Sequence, residues 1–245
     1  MTDLIKRHTL LLGDSQKLHY SLFRGSIDTI QRSPLLICLH PGWSGESPPD
    51  YYGEHFLSSV FIPAFGETGA TIVSPNCPKG AWNNLESRQT ILELIDHLVD
   101  HFRIDHARVS LVGYSAGGWG VWYLLQGEDN RFSSAILFAT LPVIDPVDRF
   151  EDNIPKCEEL LANRIDEWLS RIPDLPIYIV HSRDDELLPY IDAQCAYQAL
   201  KGDKRQARFV TIHGVGHFDG ESYVEPLHES IPWLIDTWGS KQLTR

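Results

Sequence analysis

Basic residues are the first scarcity in this chain. Lysine and arginine number 21 against 33 acidic residues, a net charge of −12. With no basic stripe along the sequence, a phosphate-neutralising surface for nucleic acid is not expected. Long apolar runs are also missing, so no membrane span is expected. The opening segment Met1-Thr2-Asp3-Leu4-Ile5-Lys6-Arg7 lacks the apolar core of a signal peptide. The cysteines Cys38, Cys77, Cys157 and Cys195 are scattered, with no C-x-x-C spacing. Reduced thiols and a cytoplasmic location are the matching expectation. There are no internal repeats or low-complexity tracts. What remains is 245 residues with 42% hydrophobic and 22% charged content, close to globular averages. That suits a single α/β domain over 1–245 with a substantial core.

The most informative stretch is Gly113-Tyr114-Ser115-Ala116-Gly117. Arg108-Val109-Ser110-Leu111-Val112 before it reads as a buried strand. The apolar run from Gly118 to Leu125 after it reads as a buried helix despite its glycines. Strand, G-x-S-x-G, helix is the context of a nucleophile elbow, in which a serine sits on a strained turn with its hydroxyl exposed. Gly113 and Gly117 then have a steric purpose, since a side chain at either would collide across so tight a turn.

Two further strands end in chemistry. Pro176-Ile177-Tyr178-Ile179-Val180 empties into His181-Ser182-Arg183-Asp184-Asp185-Glu186-Leu187-Leu188-Pro189. Ala207 to Ile212 empties into His213-Gly214-Val215-Gly216-His217. Acid and base candidates thus follow Ser115 in the order serine, acid, histidine, each after a successive strand.

On these motifs the chain resembles the α/β-hydrolase superfamily. Within it, the chain is similar to small esterases of the carboxylesterase/thioesterase, dienelactone-hydrolase and polyester-depolymerase kind. The resemblance rests on the elbow around Ser115, an H-G-x-x-D-x-x-V-P-like acid loop and G-x-G-H near the carboxyl end, and runs from Leu10 to about Trp238. It departs at Ser182, where glycine is usual, and at Leu188 for valine. The implied fold is a mostly parallel central sheet flanked by helices, with antiparallel strands at the amino-terminal edge and no large lid. The implied triad is Ser115 as nucleophile, Asp185 as orienting acid and His217 as base. Asp184 is the neighbouring alternative, but Asp185 stands four residues before Pro189, as the family's acid does. His213 is the rival base, expected instead as a buried or hydrogen-bonded residue at the strand's end.

Such a triad also needs an oxyanion hole. One donor is expected at the backbone N–H of Ala116. The other falls in His40-Pro41-Gly42-Trp43-Ser44-Gly45, after the strand Leu35 to Leu39. Pro41 occupies the family's glycine position and offers no N–H. The donor therefore shifts to Gly42 or Trp43, with Trp43 preferred. His40 reads as a structural residue of that loop. Trp82, beyond another strand end, is assigned to substrate binding, with core packing as the competing reading. Trp119 and Trp122 read as core, and Tyr51 and Tyr52 as candidates for the crevice rim.

Elsewhere the pattern alternates. Thr9–Leu12 and Leu18–Phe23 suggest a hairpin, Ala70–Ser74 and Ser133–Ala139 further strands. Leu85–Phe102, Gln194–Leu200 and Ile231–Trp238 suggest helices. Asp145–Arg171 is a short excursion over the sheet edge, helical through Glu158–Leu169. His97 and His101 stand at i and i+4, a zinc-like spacing, but share a polar helix face with Glu93, Asp96 and Asp100, and no metal or other cofactor is expected. No lysine follows Gly118, so the elbow is no P-loop. The expectation is a serine hydrolase acting on a small-molecule carboxylic ester, of unassigned oligomeric state. The alternatives are a serine peptidase or thioesterase on the same triad, or a non-catalytic ligand-binding member of the fold.

Overall fold

The computed structural model describes residues 4–13, 15–25, 32–42, 50–78, 81–127, 131–142 and 166–240. Eight strands form one sheet: β1 (Ile5–Leu11), β2 (Lys17–Arg24), β3 (Ser33–Leu39), β4 (Thr71–Pro75), β5 (Ile104–Tyr114), β6 (Phe132–Phe138), β7 (Ile177–Ser182) and β8 (Ala207–Ile212). Their spatial order is β1-β2-β4-β3-β5-β6-β7-β8. The β1–β2 and β2–β4 pairs are antiparallel; every pairing from β4 through β3 to β8 is parallel. The expected α/β fold is therefore present, with its antiparallel strands at the amino-terminal edge.

Burial explains the strand sequences. A parallel strand covered on both faces is apolar at consecutive positions. In β3 every residue is buried. Leu35, Ile37 and Leu39 point into one core, while Leu36 and Cys38 point into the other. The first core receives α2 (Leu85–His101), α3 (Ala116–Leu125) and α4 (Tyr190–Gly202). The second is covered by the helix Ile231–Ser240, through Trp233, Leu234 and Trp238. Also on that side lies α1 (residues 53–65), an irregular helical segment with α-helical turns at Gly53–Phe56 and Ile62–Phe65 around a π-helical turn at Leu57–Phe61. α2 begins at Asn84, whose side chain accepts the Ser87 N–H at 2.8 Å. Its buried stripe Ile91, Leu94, Ile95 and Leu98 follows the helical period.

Most of the expected excursion at 145–171 lies outside the described residues. Residues 166–171 are helical, and Trp168 is fully buried with its ring 5.3 Å from that of Trp122. His97 and His101 stack 4.4 Å apart, and the His101 Nδ1–H donates to the His97 carbonyl. His97 also meets the rings of Tyr20 and Phe102, so it packs more than the polar-face reading supposed.

β3, β5, β7 and β8 are parallel, so the loops at residues 40–42, 115, 183–189 and 213–218 leave the same edge of the sheet. Ligand sites of open α/β sheets form at that edge. The elbow is fixed there by packing against β3. A Cβ on Gly117 would overlap the Leu39 carbonyl oxygen and stand 2.8 Å from that of His40. Gly117→Ala is therefore expected to destabilise the fold by on the order of 3 kcal/mol or more, because a backbone overlap has no rotamer escape. Gly202→Ala, at a helix end with nothing within 4 Å of the new methyl, is expected to stabilise by about 0.5 kcal/mol. Urea unfolding of the two variants checks this, and a Gly117→Ala protein as stable as the parent would contradict the packing account.

Candidate active site

Ser115 has φ +51° and ψ −118°, a conformation that L-residues rarely hold. The surrounding bonds impose it. The Ser115 N–H donates to the Phe138 carbonyl at 3.1 Å, continuing the β5–β6 register past the strand end. The Ser115 carbonyl accepts from the Thr140 hydroxyl at 2.9 Å and the Gly118 N–H at 2.8 Å. A Cβ on Gly113 would lie 2.6 Å from the Gly118 Cα. The turn thus closes only with glycine at both places, and it projects the Ser115 hydroxyl away from the sheet.

The hydroxyl points at a histidine. Ser115 Oγ lies 2.8 Å from His217 Nε2, and His217 Nδ1 lies 2.8 Å from Asp185 Oδ2 and 3.1 Å from Oδ1. The Asp185 carboxylate takes the Nδ1–H, which leaves Nε2 unprotonated and able to accept the serine proton. Asp185 is itself fixed, since its Oδ1 accepts the N–H groups of Leu187 at 3.0 Å and Leu188 at 2.7 Å. Burial pushes its carboxyl up, but the bonds from His217, Leu188 and Leu187 outweigh burial and hold it below the usual aspartate value. This group therefore stays ionised at neutral pH.

The neighbouring acids point elsewhere. Asp184 accepts the Gly214 N–H at 2.6 Å on the exposed side of the loop, and Glu186 accepts the backbone N–H of His217 at 2.9 Å. Of the two aspartates, Asp185 is the one at the imidazole. His213 lies exposed beyond the end of β8, so of its two expected readings, buried or hydrogen-bonded, the buried one does not hold. A second histidine, His181, is fully buried behind Asp185, its Nε2 2.9 Å from the Leu188 carbonyl.

Ala116 opens α3, where its N–H precedes any helical carbonyl partner, as an oxyanion donor requires. Trp43 lies outside the described residues. Its alternative, Gly42, has φ +73°, and the Tyr52 hydroxyl lies 3.8 Å from where a Gly42 Cβ would stand. Tyr52 also meets the His40 ring at 4.9 Å, whereas Tyr51 turns to the edge strands and bonds Thr9 at 3.1 Å.

His40 organises this loop. The Cys77 N–H donates to its Nε2 at 3.2 Å, so the proton sits on Nδ1, which donates to the Pro41 carbonyl at 2.9 Å. Trp82 is 3% exposed, and its Nε1–H donates to the His40 carbonyl at 3.0 Å. The geometry favours the core-packing reading of Trp82: the indole props the loop instead of presenting a face to the crevice. Trp119 and Trp122 are buried in the same core. Among the described residues, no group of three or more histidine, cysteine or acidic side chains stands where it would hold a metal ion.

Residues 81–239 match the model of the prolyl oligopeptidase family, Peptidase_S9. No curated protein sequence matches the chain. Among solved structures, a thermostable esterase superposes with TM-score 0.74 at 19% identity, covering 96% of this chain and 63% of that one. The acylaminoacyl peptidase of Pyrococcus horikoshii gives 0.69 at 14% identity, covering 95% and 42%. A ferulic acid esterase gives 0.70 at 17% identity, covering 95% and 98%. The chain thus spans less than two thirds of the first two structures. At these identities the likeness is one of fold.

Burial pushes the His40 pKa down to about 4, the bond to the Pro41 carbonyl offsetting only part of the effect, against an ordinary value of 6.5. Between those values the unfolded chain binds more protons than the folded one, so stability falls as pH drops from 6.5 toward about 4. In urea titrations across this range, His40→Gln should lower stability overall and flatten its acid slope. An unchanged slope would show that His40 is not held neutral by the fold.

Proposed function

The chain belongs to the prolyl oligopeptidase family within the α/β-hydrolase superfamily, and on that premise we propose that it is a serine hydrolase cleaving a carboxylic ester through an acyl-enzyme on Ser115. The observation that carries this reading is the hydrogen-bond chain from Ser115 Oγ through His217 to Asp185, each link 2.8 Å at its shortest. A serine hydroxyl is a weak nucleophile at neutral pH and needs a base in contact with it. His217 Nε2 takes the proton as Oγ attacks the carbonyl, then delivers it to the leaving oxygen. Asp185 holds the tautomer and stabilises the imidazolium that forms. The Ala116 N–H, with Gly42 or Trp43 from the opposite loop, receives the oxyanion. Water then repeats the sequence on the acyl-enzyme, with His217 again as base.

Likeness to a ferulic acid esterase along 98% of its length supports an ester substrate. A small or medium acyl group and a cytoplasmic setting belong to the same proposal. The second reading, a peptidase, draws on the family model itself. Esters and anilides carrying the same acyl group separate the two, because the triad and acyl-enzyme are shared and only the leaving group differs. The ester should turn over and the anilide should not, whereas a peptidase would cleave both.

A fluorophosphonate should label the protein stoichiometrically at Ser115, and Ser115→Ala should abolish labelling. An adduct on another serine with Ser115 untouched would reject the assignment.

The acids give a sharper contrast. Asp185→Asn should lower kcat by a factor on the order of 10⁴, as loss of the orienting acid does in other triads. Asp184→Asn keeps an acceptor oxygen for Gly214 and should cost roughly tenfold or less, within the effect of one altered surface hydrogen bond. Steady-state kinetics on one ester decide it, and the reverse ranking would place the acid at Asp184.

A further inference from the structure

We propose that Tyr114 and Glu186 are positioning residues that clamp the backbone of His217 from both sides and so set the serine–histidine distance. This rests on the serine-hydrolase reading above. The Tyr114 hydroxyl donates to the His217 carbonyl at 2.6 Å, and Glu186 accepts the His217 N–H at 2.9 Å. One peptide residue thus has its donor and its acceptor both taken by side chains, in addition to its ring being held by Asp185.

The loop needs such fixing. Residues 213–218 belong to no strand or helix, and they include Gly214 at φ +71° and Gly216. Glycine gives the loop its path and removes the stiffness that would hold it there. Within the loop, the Asp219 N–H donates to the Gly216 carbonyl at 3.2 Å. The other fixed points come from β5 and the acid loop.

Tyr114 is suited to the role by position. It is the residue immediately before Ser115, so one side chain joins the backbone of the nucleophile's turn to the backbone of the base. Its ring is rigid and 2% exposed, stacked on Phe138 with centroids 4.7 Å apart and planes 12° from parallel. A Cβ on Gly220 would come within 2.9 Å of the ring, which shows how closely the chain closes over it. The phenol therefore acts as a spacer of fixed length. Burial, helped by the carboxylates of Asp185, Asp219 and Glu186, raises its pKa, so it remains a donor at any working pH. Glu186 lies at the exposed rim, and its part is the smaller one.

Positional accuracy matters here because the proton moves across a single hydrogen bond. A misplacement of about 1 Å can cost about 10²-fold in rate. The test uses Tyr114→Phe, Glu186→Ala and Glu186→Gln in the full chain, with two readouts. Hydrogen exchange of the peptide covering 213–218 reports the clamp itself, and the rate of fluorophosphonate labelling reports Ser115 activation. Tyr114→Phe should speed exchange and slow labelling roughly 10- to 100-fold, and Glu186→Ala should slow it up to about tenfold. KM for a fixed ester should stay within about threefold in both, since the clamp touches no substrate. Glu186→Gln keeps an acceptor oxygen and should return labelling and exchange to near the parent values.

Unchanged exchange and labelling in a folded Tyr114→Phe protein would overturn the proposal. So would a Glu186→Gln protein as impaired as Glu186→Ala, which would trace the effect to charge. If Tyr114→Phe does not fold, the Glu186 pair decides alone. If the parent protein is not labelled at all, the hydrolase reading fails, and the exchange data still judge the clamp.

Discussion

The site depends first on a steric constraint, the closure of the turn at Ser115 against the end of β3. The serine holds φ +51° because its N–H and carbonyl are both taken, by Phe138 and by Thr140 with Gly118. Strain of this kind costs on the order of 1–3 kcal/mol and persists only where the surroundings over-determine it. The surroundings here are backbone: Leu39 and His40 against Gly117, Gly118 against Gly113. The same closure aims the hydroxyl outward and starts α3 at Ala116. Nucleophile and first oxyanion donor thus follow from one packing decision.

The base is held by a different device. Asp184, Asp185 and Glu186 are consecutive, and each accepts an N–H from the loop that carries His217: that of Gly214, the imidazole Nδ1–H and the backbone of His217. Side chains leaving a tight loop in successive directions can reach three points on one neighbouring segment. The β7–β8 register makes this possible, pairing Ser182 with Ile212 so that both loops begin level at the sheet edge. Asp185 alone acts on the ring, because Leu187 and Leu188 turn its carboxylate inward.

Much of this was legible in the sequence, for physical reasons. Parallel strands buried on both faces leave runs such as Leu35–Leu39, and α2 leaves a period from Ile91 to Leu98. The elbow is legible because sterics demand glycine at Gly113 and Gly117. The ends of elements were not: β5 extends back to Ile104, and α4 starts at Tyr190, four residues before the periodic stretch. The irregular helix from Gly53 to Phe65 gave no clean period, since a π turn with Pro63 just beyond it breaks the repeat. The roles of Tyr114 and Glu186 leave no local pattern in the sequence, because their bonds to His217 span 103 and 31 residues. Trp82 shows the limit in the other direction. Its place beyond a strand end suggested a crevice wall, but only the fold reveals that its N–H is spent on His40.

The central claim is that one hydroxyl, on one strained turn, carries the acyl group. Its most direct test is rapid acid quenching during turnover of an activated acetate ester, followed by mass mapping of the quenched chain. The account predicts a burst of one leaving group per chain and a single acetyl group on Ser115, gaining occupancy when deacylation is slowed. Turnover with no acylated residue, or with the acetyl group on a side chain other than Ser115, would contradict it.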